Sequence, residues 1–217
     1  MTEVPASVLA DHDWVREDVR RAASMYGPAT ERVLGSIRWY SASSMLVAPP
    51  LEALVHTGKP ADPALEAVLL DIHGDGRIRD SRSLRFLDGG VPRLAEEFAR
   101  AIGPAVATIA DVSGASQRSL WAIAADSIGN RLLWAASALG RAGAADEAIQ
   151  VAGELGDGIA AAGAPMPRPL FTDVGGKPVV RRTSCCLIYD RPGGEKCTSC
   201  PKQPPEERLR RLRALLG

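Results

Sequence analysis

All four cysteines of this 217-residue chain fall within sixteen positions, as Cys185-Cys186, ten intervening residues, and Cys197-Thr198-Ser199-Cys200. A thiolate is a soft, strongly donating ligand, and four of them together satisfy one metal centre with no donor left over. Three arrangements use four such groups: a tetrahedral zinc ion, a [2Fe–2S] cluster, or two disulfides in place of a metal. Zinc modules usually grip the ion with two C-x₂₋₄-C loops, and only Cys197/Cys200 has that form. Adjacent cysteines tend to point apart, so Cys185 and Cys186 suit the wider attachment of a two-iron cluster better than one small ion. The spacing also differs from the plant-type ferredoxin pattern, so spacing alone leaves zinc and disulfides open.

Cys-Cys-x₁₀-Cys-x₂-Cys preceded by Arg181-Arg182-Thr183 resembles the C-terminal signature of the FhuF-type ferric-siderophore reductases. Ser184, between the Arg-Arg-Thr run and the first cysteine, is a departure from that pattern. The segment Leu34–Leu54, with Trp39-Tyr40 ahead of a Pro-Pro-Leu step, and the segment Leu120–Gly140 resemble further parts of the same family. The resemblance implies that Cys185, Cys186, Cys197 and Cys200 bind a [2Fe–2S] cluster. It also implies an oxidoreductase that reduces siderophore-bound Fe³⁺ to Fe²⁺ by one electron and releases iron in the cytoplasm. A ferric, hydroxamate-type siderophore is then the substrate, and a ferredoxin or ferredoxin reductase the electron donor. The alternative is a helical binding protein with a structural Cys₄ zinc site.

Charge enters the argument through its placement. The formal net charge is zero, which points to neither nucleic acid nor an anionic membrane. From Lys177 onward, however, ten Lys/Arg face four Asp/Glu. Arg181, Arg182, Arg191, Lys196 and Lys202 are therefore candidates to favour the reduced cluster electrostatically or to guide an acidic donor. No apolar run reaches eighteen residues, so no membrane span is expected. The N-terminal residues lack a basic-plus-apolar leader, and a cytoplasmic location keeps the thiols reduced.

Alanine and leucine are abundant and aromatic residues few, which predicts a mainly α fold with one or two short hairpins. The expected organisation is a helical body over residues 1–163, with a hairpin near 65–87, and a C-terminal cluster-binding segment over 164–217 packed on it. Asp11 or Asp13 caps a first helix to Met25, and a second runs from Ala29 to Val47. Pro49-Pro50 interrupts, leaving a short helix from Leu51 to His56 that Gly58 closes. Leu65–Ile72 and Arg77–Leu87 flank the turn Gly74-Asp75-Gly76. A helix opens at Pro92, breaks at Gly103-Pro104 and resumes to Val112. Ser116 caps the next, through Leu139, and Ala144–Ala162 forms another. The proline-rich stretch Ala164–Pro169 is extended and marks the boundary. Two strands meeting at Gly175-Gly176 then lead to the cysteines, and a last helix opens at Pro205 and packs back on the body.

Other residue patterns carry less chemistry. Asp71–Gly76 fails as an EF-hand loop, because the third position is His73 and the bidentate glutamate is replaced by Arg82. His12, His56 and His73 are scattered, and the four tryptophans sit at helical core spacing. No nucleotide-binding glycine motif or nucleophile elbow occurs.

Overall fold

A computed structural model describes residues 2–217. The order is β1 (Thr2–Pro5), a 3₁₀ turn (Ala6–Ala10), α1 (His12–Tyr26), α2 (Glu31–Thr57), β2 (Val68–Ile72), β3 (Ile78–Ser83), α3 (Gly90–Ser113), α4 (Gln117–Ala138), α5 (Ala144–Ala161), β4 (Phe171–Val174), β5 (Lys177–Val180), a 3₁₀ turn (Ile188–Asp190) and α6 (Pro205–Leu216). The fold is mainly α, as composition predicts. Two antiparallel sheets accompany the helices: β1-β2-β3 and β4-β5. Strand β1 pairs with β2 from Thr2↔Ile72 to Pro5↔Leu69, a pairing that nothing in the local pattern of the N-terminus announces.

Helix α1 begins where expected. The Asp11 carboxylate accepts from the Asp13 and Trp14 N–H groups, each at 2.8 Å, so Asp11 is the cap. Helix α2 corrects the expectation of a break. It runs unbroken through Pro49 and Pro50 to Thr57 and ends at Gly58 in the left-handed conformation. A proline inside a helix removes the hydrogen bond to the carbonyl four residues earlier. For Pro49 that carbonyl belongs to Met45, and the Ser81 hydroxyl of β3 donates to it at 2.7 Å. The lost bond is replaced by one to a distant strand, and the helix survives. Helix α3 likewise continues through Pro104, where a break was expected. Pro104 and Arg100 are both exposed, so water can take the freed Arg100 carbonyl. Ser116 does stand at the start of α4, but its side chain makes no capping bond.

The core lies where α2, α3, α4 and α5 meet, with Trp39, Leu46, Phe98, Ile102, Leu120, Ile128 and Leu155 buried. Helices α2 and α4 are also joined by polar contacts inside it. Trp39 Nε1 donates to the Leu120 carbonyl at 2.7 Å, and the Ser43 and Ser127 hydroxyls lie 2.8 Å apart. Gly35 stands so close to Ser113 that a Cβ there would collide with it, which lets α2 and α3 approach. Trp134 departs from the expected core placement: it is 58% exposed, with Arg131 stacked 5.1 Å from its ring centre.

The C-terminal segment reaches α4 along a track of small residues. Arg168 and Pro169 lie against Gly153 and Gly156 of α5, and Phe171 and Val180 pack on Gly129 of α4. The β4–β5 hairpin therefore ends on the middle of α4. Helix α6 is held lightly. Leu212 is buried, but Leu215 is 70% exposed, so only part of the predicted apolar face packs. No described helix is long and apolar enough to cross a membrane.

One buried ion pair ties the N-terminal elements together. Arg38 of α2 donates to both carboxylate oxygens of Asp18 on α1, at 2.8 and 2.9 Å, and to the Gly76 carbonyl in the β2–β3 turn at 2.9 Å. Replacing Asp18 with Ala strands a buried guanidinium, and a loss of roughly 3–5 kcal/mol is expected in urea unfolding. An unchanged unfolding midpoint would show that the pair holds nothing together.

Candidate metal centre

The site is built on residues 181–203, after β5 delivers the chain to α4. Cys185, Cys186 and Cys200 are buried, and Cys197 is half-buried. The Cys185 and Cys200 sulfurs lie 3.6 Å apart. Cys186 adjoins Cys185 in the chain, and Arg182 acts electrostatically on both Cys186 and Cys197. All four thiols are free. Among the described residues, no three His, Cys, Asp or Glu side chains are disposed to cage a single metal ion. The sulfurs share a niche without closing on one point.

Local backbone features shape the niche. The Leu187 N–H points at Cys185 Sγ, at 3.4 Å, and Leu187 takes the left-handed conformation, φ 62°, unusual for a branched residue. It starts the 3₁₀ turn, closed by Asp190 N–H donating to the Leu187 carbonyl at 2.8 Å. Gly194 sits where a Cβ would strike the Ile188 carbonyl, so the turn between the two cysteine pairs needs glycine there. The Cys200 N–H donates to the Cys197 carbonyl at 3.0 Å. Buried Gln203 closes this second turn, donating to the carbonyls of Cys197 at 2.6 Å and Thr198 at 3.2 Å. From α6, Arg211 donates to the Lys196 carbonyl at 3.1 Å, so the helix does steady the cysteine loop.

The predicted cations separate sharply. Arg182 is buried, and its Nη1 lies 3.5 Å from Cys197 Sγ. Arg181 is exposed. Arg191 turns the other way, donating to the Tyr26 carbonyl at the end of α1 at 2.9 Å. Lys196 is exposed, bonds the Lys202 carbonyl at 3.0 Å and stands over the Tyr189 ring. Lys202 lines a cleft beside Cys185.

Asp126, which sequence reasoning did not single out, and Tyr40, named there only within the Leu34–Leu54 resemblance, complete the surroundings of Arg182. Asp126 of α4 is fully buried, and its Oδ1 accepts from the Thr183 N–H at 3.2 Å and the Thr183 hydroxyl at 3.4 Å. Its Oδ2 faces Arg182 Nε at 3.6 Å. Tyr40 of α2 lays its ring 4.6 Å from the guanidinium carbon. A signal for Asp126 did exist: it is the one charged residue in the run Leu120–Ile128, which is apolar apart from it and Ser127.

Electrostatics follow from this packing. Burial pushes the Asp126 carboxyl up to about 6, although Arg182 and the Thr183 and Ser184 N–H groups pull it down. Burial works against the Arg182 charge, but Tyr40, Cys186, Asp126 and Cys197 together hold it firmly protonated. The interaction between the adjacent thiols pushes Cys185 up and pulls Cys186 down, with Arg182 adding to the second effect. Burial raises Cys197.

The donors present fit an iron–sulfur group. All four side chains are thiols, and Arg182 Nε and Nη2 are buried donors without a partner beside them. An anionic sulfur centre offers acceptors that those donors lack. Fold and site thus define a helical protein with a thiol-lined centre on a C-terminal loop. Residues 182–202 match the family model described as FhuF 2Fe-2S C-terminal domain. The match agrees with the resemblance read from Cys185–Cys200, makes [2Fe–2S] the cofactor of this segment, and carries an oxidoreductase role in general. No curated protein matches the chain.

Because Gly194 has no room for a side chain, Gly194→Ala is expected to displace the turn between the cysteine pairs. Iron and acid-labile sulfide per chain should fall to under about half of wild type while the helical circular dichroism is unchanged, since the contact is local. Full loading would show that the loop yields at no cost.

Proposed function

We propose that the chain is a ferric-siderophore reductase, passing one electron at a time to siderophore-bound Fe³⁺ and releasing Fe²⁺ in the cytoplasm. The observation that carries the reading is the gathering of Cys185, Cys186, Cys197 and Cys200 into one largely buried niche, within the segment that matches a [2Fe–2S] domain. In this reading those four cysteines are the cluster ligands, and residues 164–217 form the cluster-binding segment on the helical body of 1–163. When bound, the cluster supplies single electrons.

What the chain contributes is placement and charge. Fe³⁺ is a small, hard cation held tightly by oxygen donors, whereas Fe²⁺ with its lower charge is held far less well. One electron therefore turns a trapped ion into one that can leave, and no acid–base side chain is required. A cleft of about 480 Å³ opens beside Cys185, between the start of α2, the start of α4 and the cysteine loop. Ser36, Ser116, Ser119 and Thr183 line it with hydroxyls, and Arg32 and Lys202 with positive charge. Those groups suit an oxygen-rich ferric chelate, hydroxamate siderophores included, and the cleft brings it next to a cysteine. Cys197 is half-buried and follows the exposed Lys196 in the chain, and exposed Arg211 bonds the Lys196 carbonyl, so positive charge near this sulfur suits an acidic donor such as a ferredoxin or its reductase.

Cys197→Ser is expected to abolish visible absorption and ferric reductase activity together; activity without the colour would refute the assignment. Freshly isolated protein with stoichiometric zinc and no acid-labile sulfide would replace it with the structural Cys₄ zinc reading. Ser119→Trp, which fills the cleft, should lower kcat/KM for a ferric siderophore about tenfold, a barrier increase of roughly 1.4 kcal/mol, with the cluster spectrum unchanged.

A further inference from the structure

The cysteine niche contains one buried cation and one buried carboxylate, and they are placed on each other. Arg182 retains 5% of its exposure and Asp126 none. The guanidinium lies between the Cys197 sulfur, at 3.5 Å, and the Asp126 carboxylate, at 3.6 Å. Tyr40 covers one face of it. Neither Arg182 Nε and Nη2 nor Asp126 Oδ2 has a hydrogen-bond partner. Buried polar atoms of this kind are costly when left unpaired, and the cost is repaid only by charge close at hand.

We infer that Asp126 and Arg182 act as an opposed pair on the affinity of this site for an electron, the guanidinium raising it and the carboxylate lowering it. The inference rests on the reading of the four cysteines as cluster ligands and deepens it. Accepting one electron adds one negative charge beside Cys186 and Cys197. The buried guanidinium that touches Cys197 favours that charge, because little water screens the interaction. The carboxylate one step further away disfavours it and offsets part of the guanidinium's effect. Asp126 does a second job in the same place: through Oδ1 it holds the Thr183 backbone, two residues before Cys185, against α4. It is a positioning residue as well as a charge. The exposed cations Arg181 and Lys196 are screened by solvent and contribute less.

The pair makes a prediction in signs, which structural damage alone does not reproduce. The measurement is an optical redox titration of the full-length, cluster-loaded protein at pH 8, where the Asp126 carboxylate is ionised, with iron and sulfide determined for each variant. At the wild-type midpoint, Arg182→Gln is expected to shift the reduced-to-oxidised ratio about tenfold toward the oxidised form, equal to about 59 mV for one electron. Asp126→Asn, which keeps the shape and one acceptor oxygen for Thr183, is expected to shift it at least about threefold the other way. The double variant removes both charges and should fall between the two single variants, within about threefold of wild type, and Arg182→Lys should also stay within about threefold of it. Potentials that do not move, or that shift in the same direction in both single variants, overturn the pair. A wild-type protein without iron and sulfide overturns the ligand reading itself and the pair with it. If Arg182→Gln fails to load, the sign in Asp126→Asn decides: an upward shift supports the pair, and no shift or a downward one overturns it.

Discussion

A guanidinium buried among thiols is the interaction on which the arrangement of this protein's C-terminal segment depends. Taking the charge of Arg182 out of water is expensive, and only near and well-placed anions offset the cost. One such anion, Asp126, sits on α4, and the aromatic cover, Tyr40, sits on α2. The cysteine loop is therefore complete only when the two central helices are packed. Helix packing in turn rests on the Trp39–Leu120 bond and the paired hydroxyls of Ser43 and Ser127, which fix how α2 and α4 face each other. The chain thus links a hydrophobic core to a polar site through a few contacts.

The route by which the loop arrives obeys the same economy. Extended backbone from Ala164 to Pro169 needs a surface without side chains to lie on, and Gly153 and Gly156 of α5 provide it. The β4–β5 hairpin then needs a gap in α4, which Gly129 leaves three residues from Asp126. Arg191 fastens the far side of the loop to the end of α1, and Gln203 closes the Cys197–Cys200 turn. Anchored at both ends, the loop holds three sulfurs away from solvent and leaves one partly open. In the proposed reductase this division would limit access of water to the buried sulfurs and leave a path for a donor at the partly exposed one.

Much of this was readable from residue order, and the failures have local causes. Asp11, Gly58, the turn at Gly74–Gly76 and the hairpin at Gly175-Gly176 are signals that act over a few residues, and each stands where predicted. Pro49 and Pro104 misled because proline's cost is counted within its own helix, whereas the compensation came from Ser81 on a distant strand or from exposure to water. Strand β1 was invisible because its partner lies some seventy residues further along the chain. Trp134 has core spacing but lies exposed, stacked on Arg131. Helix α6 shows an apolar face of which only Leu212 is buried, since the body offers it little to pack against.

The sequence by itself determined the donor set, the helical character and the position of the cysteine segment at the end of the chain, because thiol chemistry, helical periodicity and turn residues act over short distances. Which cation meets the sulfurs was decided only by the tertiary structure. Arg181, Arg182, Arg191 and Lys196 are equivalent as charges along the chain, yet only the packing of the β4–β5 hairpin on Gly129 turns Arg182 inward, toward Asp126 and Tyr40. Arg191 is drawn instead to the Tyr26 carbonyl, and Arg181 is left in water. Burial and distance separate these four residues, and both come from contacts between segments far apart in the chain.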